Sequence, residues 1–308
     1  MELLSWSPDC GLPSWHQRCL AFRAYAKFAG APVNVRSTNN PFWTEDGDLP
    51  VFRGANGFVT SDFRVFVEHL AGKGFSTDAR LDAKQKAENT AFEQLLQNSL
   101  GPALALAFWV DSRNHVEFTR PWFAKKLMFP LGLFYPNRYW KRANALVESV
   151  TSVDCALNSE IDVEYALMEK VVLKHAEECL QMLSVRLGTN TFFHGNAPCS
   201  LDALVFSYVA PLIKVTLPST NVTSCANKHT NLVRYVSRIL TAYFPDIVAS
   251  ENEESSKEKD KSDEDKSLGS WSNILGSATI AILAMTGYAF SSGLAEALRE
   301  SGRRAISG

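Results

Sequence analysis

The sequence lacks the cysteine and histidine spacing of a metal site or a disulfide framework. Its six cysteines stand apart along the 308 residues, and it contains no CxxC pair and no Cys/His cluster. Structural zinc sites and disulfide-rich folds need such clusters, so the sequence predicts neither of them and no bound cofactor. Reduced thiols in a protein that faces the cytosol are expected instead.

A strong net charge is also absent. The chain carries 31 Lys and Arg against 33 Asp and Glu, which leaves a net charge of −2. This balance argues against a nucleic-acid binder that works through a strongly basic surface. The N-terminal residues, MELLSWSPDCG, have no basic region and no long apolar run, so we expect neither a secretory signal nor an Arg-rich transit peptide.

The C-terminal part changes character twice. Residues 251–266 contain eight acids and four Lys, which predicts a charged, disordered tether over 246–270. Residues 267–295 then contain no Asp, Glu, Lys, Arg or His. As a helix, residues 271–294 would extend roughly 36 Å, enough for a bilayer core of about 30 Å. The sequence therefore predicts a transmembrane tail anchor, followed by a short tail at 295–308.

The apolar and aromatic side chains of this anchor are expected to face lipid. They are Trp271, Ile274, Leu275, Ile280, Ile282, Leu283, Tyr288, Phe290 and Leu294. The alternative is a buried helix of a soluble domain. An anchor this near the C-terminus inserts after translation and leaves the preceding residues in the cytosol. Its moderate hydropathy and basic tail indicate the mitochondrial outer membrane, with the endoplasmic reticulum as the competing location.

Residues 1–75 alternate between short strands and helices. A helix that begins at Pro13-Ser14 is predicted from the spacing of its apolar residues, and a second helix from Phe63 to Leu70. Asn56-Gly57 supplies the positive φ angles that a tight hairpin needs. The predicted strands are Leu3–Trp6, Val33–Arg36, Val51–Phe52 and Phe58–Val59. A right-handed crossover would make the first two strands parallel.

Residues 80–245 have the apolar periodicity of helices. The most apolar stripe, from Leu201 to Leu212, predicts a helix buried nearly all round. The fold class is therefore a small α/β domain followed by an all-α domain.

This arrangement resembles the glutathione transferases, whose first half is thioredoxin-like. Leu49-Pro50 looks like their cis-proline segment, and Pro198–Asp202 looks like the entry into their buried helix. In that family a Ser or Thr three residues before the Asp completes a capping box. Here Cys199 stands at that position, so Ser200 or Asp202 must cap the helix. The resemblance thus implies structural roles for Pro50, Ser200 and Asp202.

Within that superfamily, the sequence resembles the metaxins over about residues 1–245. The motifs are Gly11–Ser14, Tyr25–Pro32, Asn40–Trp43 and Thr119–Pro121. The resemblance implies a non-enzymatic subunit of the mitochondrial outer-membrane sorting and assembly machinery, which aids import and assembly of β-barrel proteins. Its partners would be the membrane and other subunits of that complex, including a second metaxin-like protein. The alternatives are a membrane-anchored glutathione transferase and a tail-anchored adaptor in mitochondrial shape or transport.

A transferase site would need a hydroxyl or thiol near the end of the first strand. Cys10 lies near a helix N-terminus, but a cysteine without a catalytic role is the favoured interpretation. Counted back from His69-Leu70 without gaps, the acidic-Ser pair that holds the γ-glutamyl group in transferases falls on Asp62-Phe63, and Ser61 could replace the serine only with a one-residue shift. A phenyl ring cannot donate the required hydrogen bond, which predicts a degenerate site and no catalytic residue.

Residues 118–147 contain no acid, and aromatic side chains alternate there with six cations. One interpretation places these aromatic side chains in the core. The other is a surface that contacts lipid headgroups or a protein partner, where aromatics and cations are both favoured. The candidate residues of such a surface are Trp122, Lys125, Lys126 and Trp140.

Overall fold

The computed structural model describes residues 1–44, 47–127, 131–151 and 161–250. The described residues include one four-stranded sheet in the order β2-β1-β3-β4. Its strands are β1 (Glu2–Ser5), β2 (Asn34–Ser37), β3 (Val51–Arg53) and β4 (Val59–Thr60). The four predicted strands are confirmed, each with ends shifted by about one residue.

The predicted parallel pairing of the first two strands is confirmed. Leu3 of β1 lies opposite Val35 of β2 in parallel register and opposite Phe52 of β3 in antiparallel register. Asn56 and Gly57 between β3 and β4 have φ angles of 59° and 75°. These positive angles reverse the chain direction, as the Asn-Gly pair predicts.

The helices follow in this order: α1 (Gln17–Phe28), α2 (Phe63–Gly72), α3 (Ala83–Leu95), α4 (Gly101–Ala105), α5 (Ser112–Asn114), α6 (Arg120–Lys126), α7 (Leu131–Thr151), α8 (Ile161–Leu187), α9 (Ser200–Lys214), α10 (Asn221–Asn227) and α11 (Thr230–Tyr243). Three π-helical segments, Leu96–Leu100, Leu106–Val110 and His115–Thr119, connect the helices from α3 to α6. The helical second half is thus confirmed.

The first helix begins later than the sequence predicts. α1 begins at Gln17 and not at Ser14, because Ser14 forms a turn in which its Oγ accepts a hydrogen bond from the His16 N–H at 3.3 Å. The buried face of α1 packs against α9. Every residue from Leu201 to Leu212 of α9 is buried, as its apolar stripe predicts.

Met1–Glu251 forms one compact unit. The division into domains at 1–75 and 80–245 stays a prediction. The predicted anchor and short tail, and most of the predicted tether, lie outside the described residues. No helix within the described ranges is long and apolar enough to cross a membrane.

Candidate functional site beside the cis-proline

A buried carboxylate organises the chain beside the cis-proline. The peptide bond between Leu49 and Pro50 is cis, as the sequence predicts. Asp48, the preceding residue, is buried and accepts a hydrogen bond from the Leu49 N–H at 2.8 Å. The Tyr139 hydroxyl also donates to it, and Arg142 Nη1 lies 2.9 Å from its Oδ2. Asp48 therefore joins the segment before β3 to α7.

Arg18 crosses the same cleft from the first turn of α1. Its Nη1 lies 3.5 Å from Asp48 Oδ2, and its Nη2 donates to the Ser61 carbonyl at 2.9 Å. Ser61 immediately precedes Asp62, the cap of α2, whose carboxylate accepts a hydrogen bond from the Val65 N–H at 3.0 Å. The guanidinium thus occupies the space between the cis-proline segment and the N-terminus of α2.

Phe63, the residue that the resemblance to transferases places at the serine position, is an apolar ring that packs among other rings. Phe63 packs edge-on against Phe22 and Tyr25, with ring centroids 5.7 and 5.9 Å apart. It cannot donate a hydrogen bond to a γ-glutamyl group. Near the end of β1, the buried Ser5 hydroxyl donates to the Trp6 carbonyl at 3.1 Å.

The charges at Asp48 do not cancel. Burial alone would raise the pKa of Asp48, but the charge that His16 carries when it is protonated at low pH, together with hydrogen bonds from Tyr139 and Leu49 and the charge of Arg18, outweighs it and leaves this pKa below its usual value. Burial lowers the pKa of His16 to about 4, so this imidazole is neutral at pH 7. One carboxylate therefore faces the two guanidinium groups of Arg18 and Arg142, which leaves one excess positive charge.

The expectation that Trp122 lies on a partner or lipid surface is wrong. The residue is only 9% exposed, and its ring packs edge-on against Trp6 and Trp15, with ring centroids 5.9 and 5.0 Å apart. Its Nε1 donates to Asp9 at 2.9 Å. Asp9 lies in the loop after β1, so an acidic residue from outside residues 118–147 pairs with this acid-free segment.

Of the other three candidate residues in 118–147, one packs inside the fold and two lie at the surface. Lys126 Nζ lies 2.9 Å from Asp9 Oδ2 and 5.6 Å from the centre of the Trp122 ring, so it belongs to the same inner cluster. Lys125 is exposed and the Trp140 residue is 37% exposed. A contact of Lys125 and Trp140 with lipid or a partner stays a prediction.

Asp202 caps α9 by reaching back to the preceding chain. Its Oδ2 accepts a hydrogen bond from the Cys199 N–H at 2.9 Å, and its Oδ1 accepts from the Phe193 N–H at 3.1 Å. The Tyr235 hydroxyl donates to the same Oδ1 at 3.1 Å. Ser200 acts differently, because its N–H and hydroxyl both donate to Asp78.

Comparison with known proteins agrees with this architecture. Residues 176–239 match the family model of the glutathione S-transferase C-terminal domain, and residues 19–140 match the Tom37 model, described as an outer mitochondrial membrane transport complex protein. Metaxin-1 of Macaca fascicularis is 39% identical over 245 residues, which cover 80% of this chain and 75% of the relative. The chain belongs to the metaxin family.

Other relatives extend the similarity. Metaxin-1 of Sus scrofa is 37% identical over 307 residues, covering 100% of this metaxin-family chain and 95% of the relative. Metaxin-3 of Danio rerio is 38% identical over 249 residues, which cover 81% of this chain and 77% of the relative. Among solved structures, a glutathione S-transferase of Ceriporiopsis subvermispora in complex with glutathione is 15% identical and has a TM-score of 0.48. The match covers 79% of this chain and 95% of that one.

Two tertiary contacts described above could not be found from the sequence of this metaxin-family chain. Arg18 and Asp48 lie 30 residues apart, and although Asp48 follows Glu45 and Asp46, nothing in the sequence pairs it with Arg18. Asp78, which binds Ser200, lies in the connection between α2 and α3 and is 122 residues away along the chain. Neither pair has a spacing that predicts its contact, because both contacts arise from tertiary packing.

Proposed function

We propose that this chain is a non-catalytic subunit of the mitochondrial outer-membrane machinery that sorts and assembles β-barrel proteins, with residues 1–250 facing the cytosol. The observation that carries the proposal is the 39% identity to Metaxin-1 over 245 residues. The match of residues 19–140 to a family described as an outer mitochondrial membrane transport complex protein supports the same location. The partners would be other subunits of that complex, including a second metaxin-like protein.

The geometry of the cleft supports a non-catalytic role. A transferase stabilises a thiolate with a donor at the glutathione sulfur and holds the γ-glutamyl group with an acid and a hydroxyl. Here Phe63 stands at the hydroxyl position, and Arg18 already joins Asp48 to the Ser61 carbonyl. Glutathione would have to break these internal contacts without gaining the hydrogen bonds that a serine supplies.

The membrane attachment is part of the proposal. The uncharged stretch at 267–295 would hold the chain in the outer membrane, and the acidic tether would separate it from the compact unit. An attached subunit meets its partners on the membrane surface, which raises their local concentration.

The experiment compares cells that lack the endogenous protein with cells that express the tagged full chain. We expect outer-membrane transport subunits and a second metaxin-like protein to co-purify from detergent-solubilised mitochondria. Loss of the chain should slow the assembly of an imported β-barrel precursor, while a matrix precursor is imported at its normal rate. Normal β-barrel assembly without the chain would contradict the proposal, as would recovery of motility or fission factors alone.

A matched control separates attachment from folding. The same chain ending at residue 250 should stay in the cytosolic fraction and fail to restore β-barrel assembly. Restored assembly with this shortened chain would contradict the proposed role of the membrane anchor.

A further inference from the structure

An open groove continues from the Asp48 cluster along the face of α7 that carries Tyr139, Arg142 and Leu146. It has a volume of about 410 Å³ and lies between the start of α1, the segment around α4 and α7. Its floor is apolar, and the residues that form it are Trp15, Leu104, Phe108, Trp109, Ala143 and Leu146. Trp15, Phe108 and Trp109 are buried, so the groove has a rigid aromatic wall.

Two guanidinium groups lie at the margin of this groove. Arg18 and Arg142 both line it, and their side chains are 44% and 52% exposed. Arg142 approaches Asp48 through Nη1. A guanidinium carries five N–H donors, so each arginine can bind a second anion while it keeps its contact with Asp48.

The charge balance favours an anion here. Asp48 supplies one negative charge against the two arginines, and the neutral His16 supplies none. An excess positive charge beside an apolar floor is attractive to a ligand with an anionic head and an apolar body, because each part meets a complementary surface.

We infer that this groove binds one fatty acid anion, with its carboxylate between Arg18 and Arg142 and its acyl chain on the apolar floor. The volume lies in the lower part of the roughly 300–1,000 Å³ range of small-molecule sites, which favours one acyl chain over a two-chain lipid. A carboxylate also matches the forked donor geometry of arginine. This ligand site is independent of the role in β-barrel assembly.

The test uses the full chain in phosphatidylcholine nanodiscs and a palmitic acid that carries a photoreactive diazirine on its acyl chain. After illumination, labelled peptides are identified by mass spectrometry. We expect labelling at 101–110 and 139–147, the two adjacent segments that line the groove. Labelling confined to other peptides would overturn the inference.

Unlabelled palmitate should compete about tenfold better than methyl palmitate, because only the acid can form the charged hydrogen bonds. Equal competition would overturn it.

Two variants and a matched control locate the head group and the chain. Arg142→Gln should weaken labelling of the groove peptides about tenfold. Lys141→Gln removes the same charge from the neighbouring exposed residue and should leave labelling unchanged. Leu146→Glu should also abolish labelling, because it places a carboxylate on the floor while leaving the contacts of Asp48 intact. Retained labelling in Arg142→Gln or Leu146→Glu would overturn the inference, as would an equal loss in Lys141→Gln.

Discussion

The indole Nε1 of Trp122 donates a hydrogen bond to Asp9 across 113 residues of sequence, at 2.9 Å. Lys126, one turn later in α6, forms an ion pair with the same carboxylate. These contacts join α6 to the loop after β1, and the rings of Trp6 and Trp15 pack against Trp122 beside them. Part of the acid-free segment is therefore a structural joint between the sheet and the helical half.

Trp122→Ala should lower the free energy of unfolding by about 3–5 kcal/mol, because it leaves a large cavity among the surrounding rings. Trp140→Ala is the matched control from the same segment. Trp140 is 37% exposed, so the lost packing is smaller and the expected loss is about 1–2 kcal/mol. Urea denaturation of the two variants and the wild type measures both values. Equal losses in the two variants would contradict the different burial of the two rings.

The ion pair at Asp9 predicts a pH dependence of stability. Burial raises the pKa of Asp9, but the hydrogen bonds from Lys126 and Trp122 outweigh it and lower this pKa below its usual value. A lowered pKa in the folded state means that the carboxylate stabilises the protein above its unfolded pKa of about 3.9. This contribution is lost as the pH falls from there through the folded-state pKa.

Asp9→Asn should remove that contribution. The difference in unfolding free energy between wild type and variant should be largest at pH 6–7 and shrink as the pH approaches 3. Thermal melts over this pH range measure it. A difference that is constant with pH would contradict an ionised Asp9 in the folded protein.

The sequence predicts the elements of this fold better than the contacts between them. Strand alternation and the apolar stripe of α9 depend on neighbouring residues, so their periodicity is visible in the sequence. α1 begins at Gln17, beyond the predicted start at Pro13-Ser14, because Ser14 forms a local turn. The position of Trp122 could not be predicted, because its acidic partner Asp9 is distant along the chain. The ion pair between Arg18 and Asp48 could not be predicted for the same reason, because its two residues are distant along the chain.

Asp202→Ala should destabilise the protein more than an exposed change does. The carboxylate accepts hydrogen bonds from the buried N–H groups of Cys199 and Phe193, and each group left without an acceptor costs about 1–3 kcal/mol. Asp202→Asn is the matched control, because its amide oxygen can still accept one of these bonds, so its loss should be smaller. Denaturation midpoints measure the order of the three proteins. An alanine variant as stable as wild type would show that the cap contributes nothing.

Glutathione at 5 mM should leave the unfolding midpoint of the full chain unchanged. Arg18 links Asp48 to the Ser61 carbonyl in the cleft, and Phe63 cannot supply the hydrogen bond that the γ-glutamyl group needs. A ligand present at 100 times its dissociation constant would stabilise the folded state by about 2.7 kcal/mol, which thermal melts detect easily. An active glutathione transferase in the same assay serves as the positive control.

Arg18→Ala should also show no shift, because opening the cleft does not restore the missing donor at Phe63. A shift in the variant alone would mean that Arg18 by itself excludes glutathione. A shift in the wild type would contradict the non-catalytic reading of this cleft.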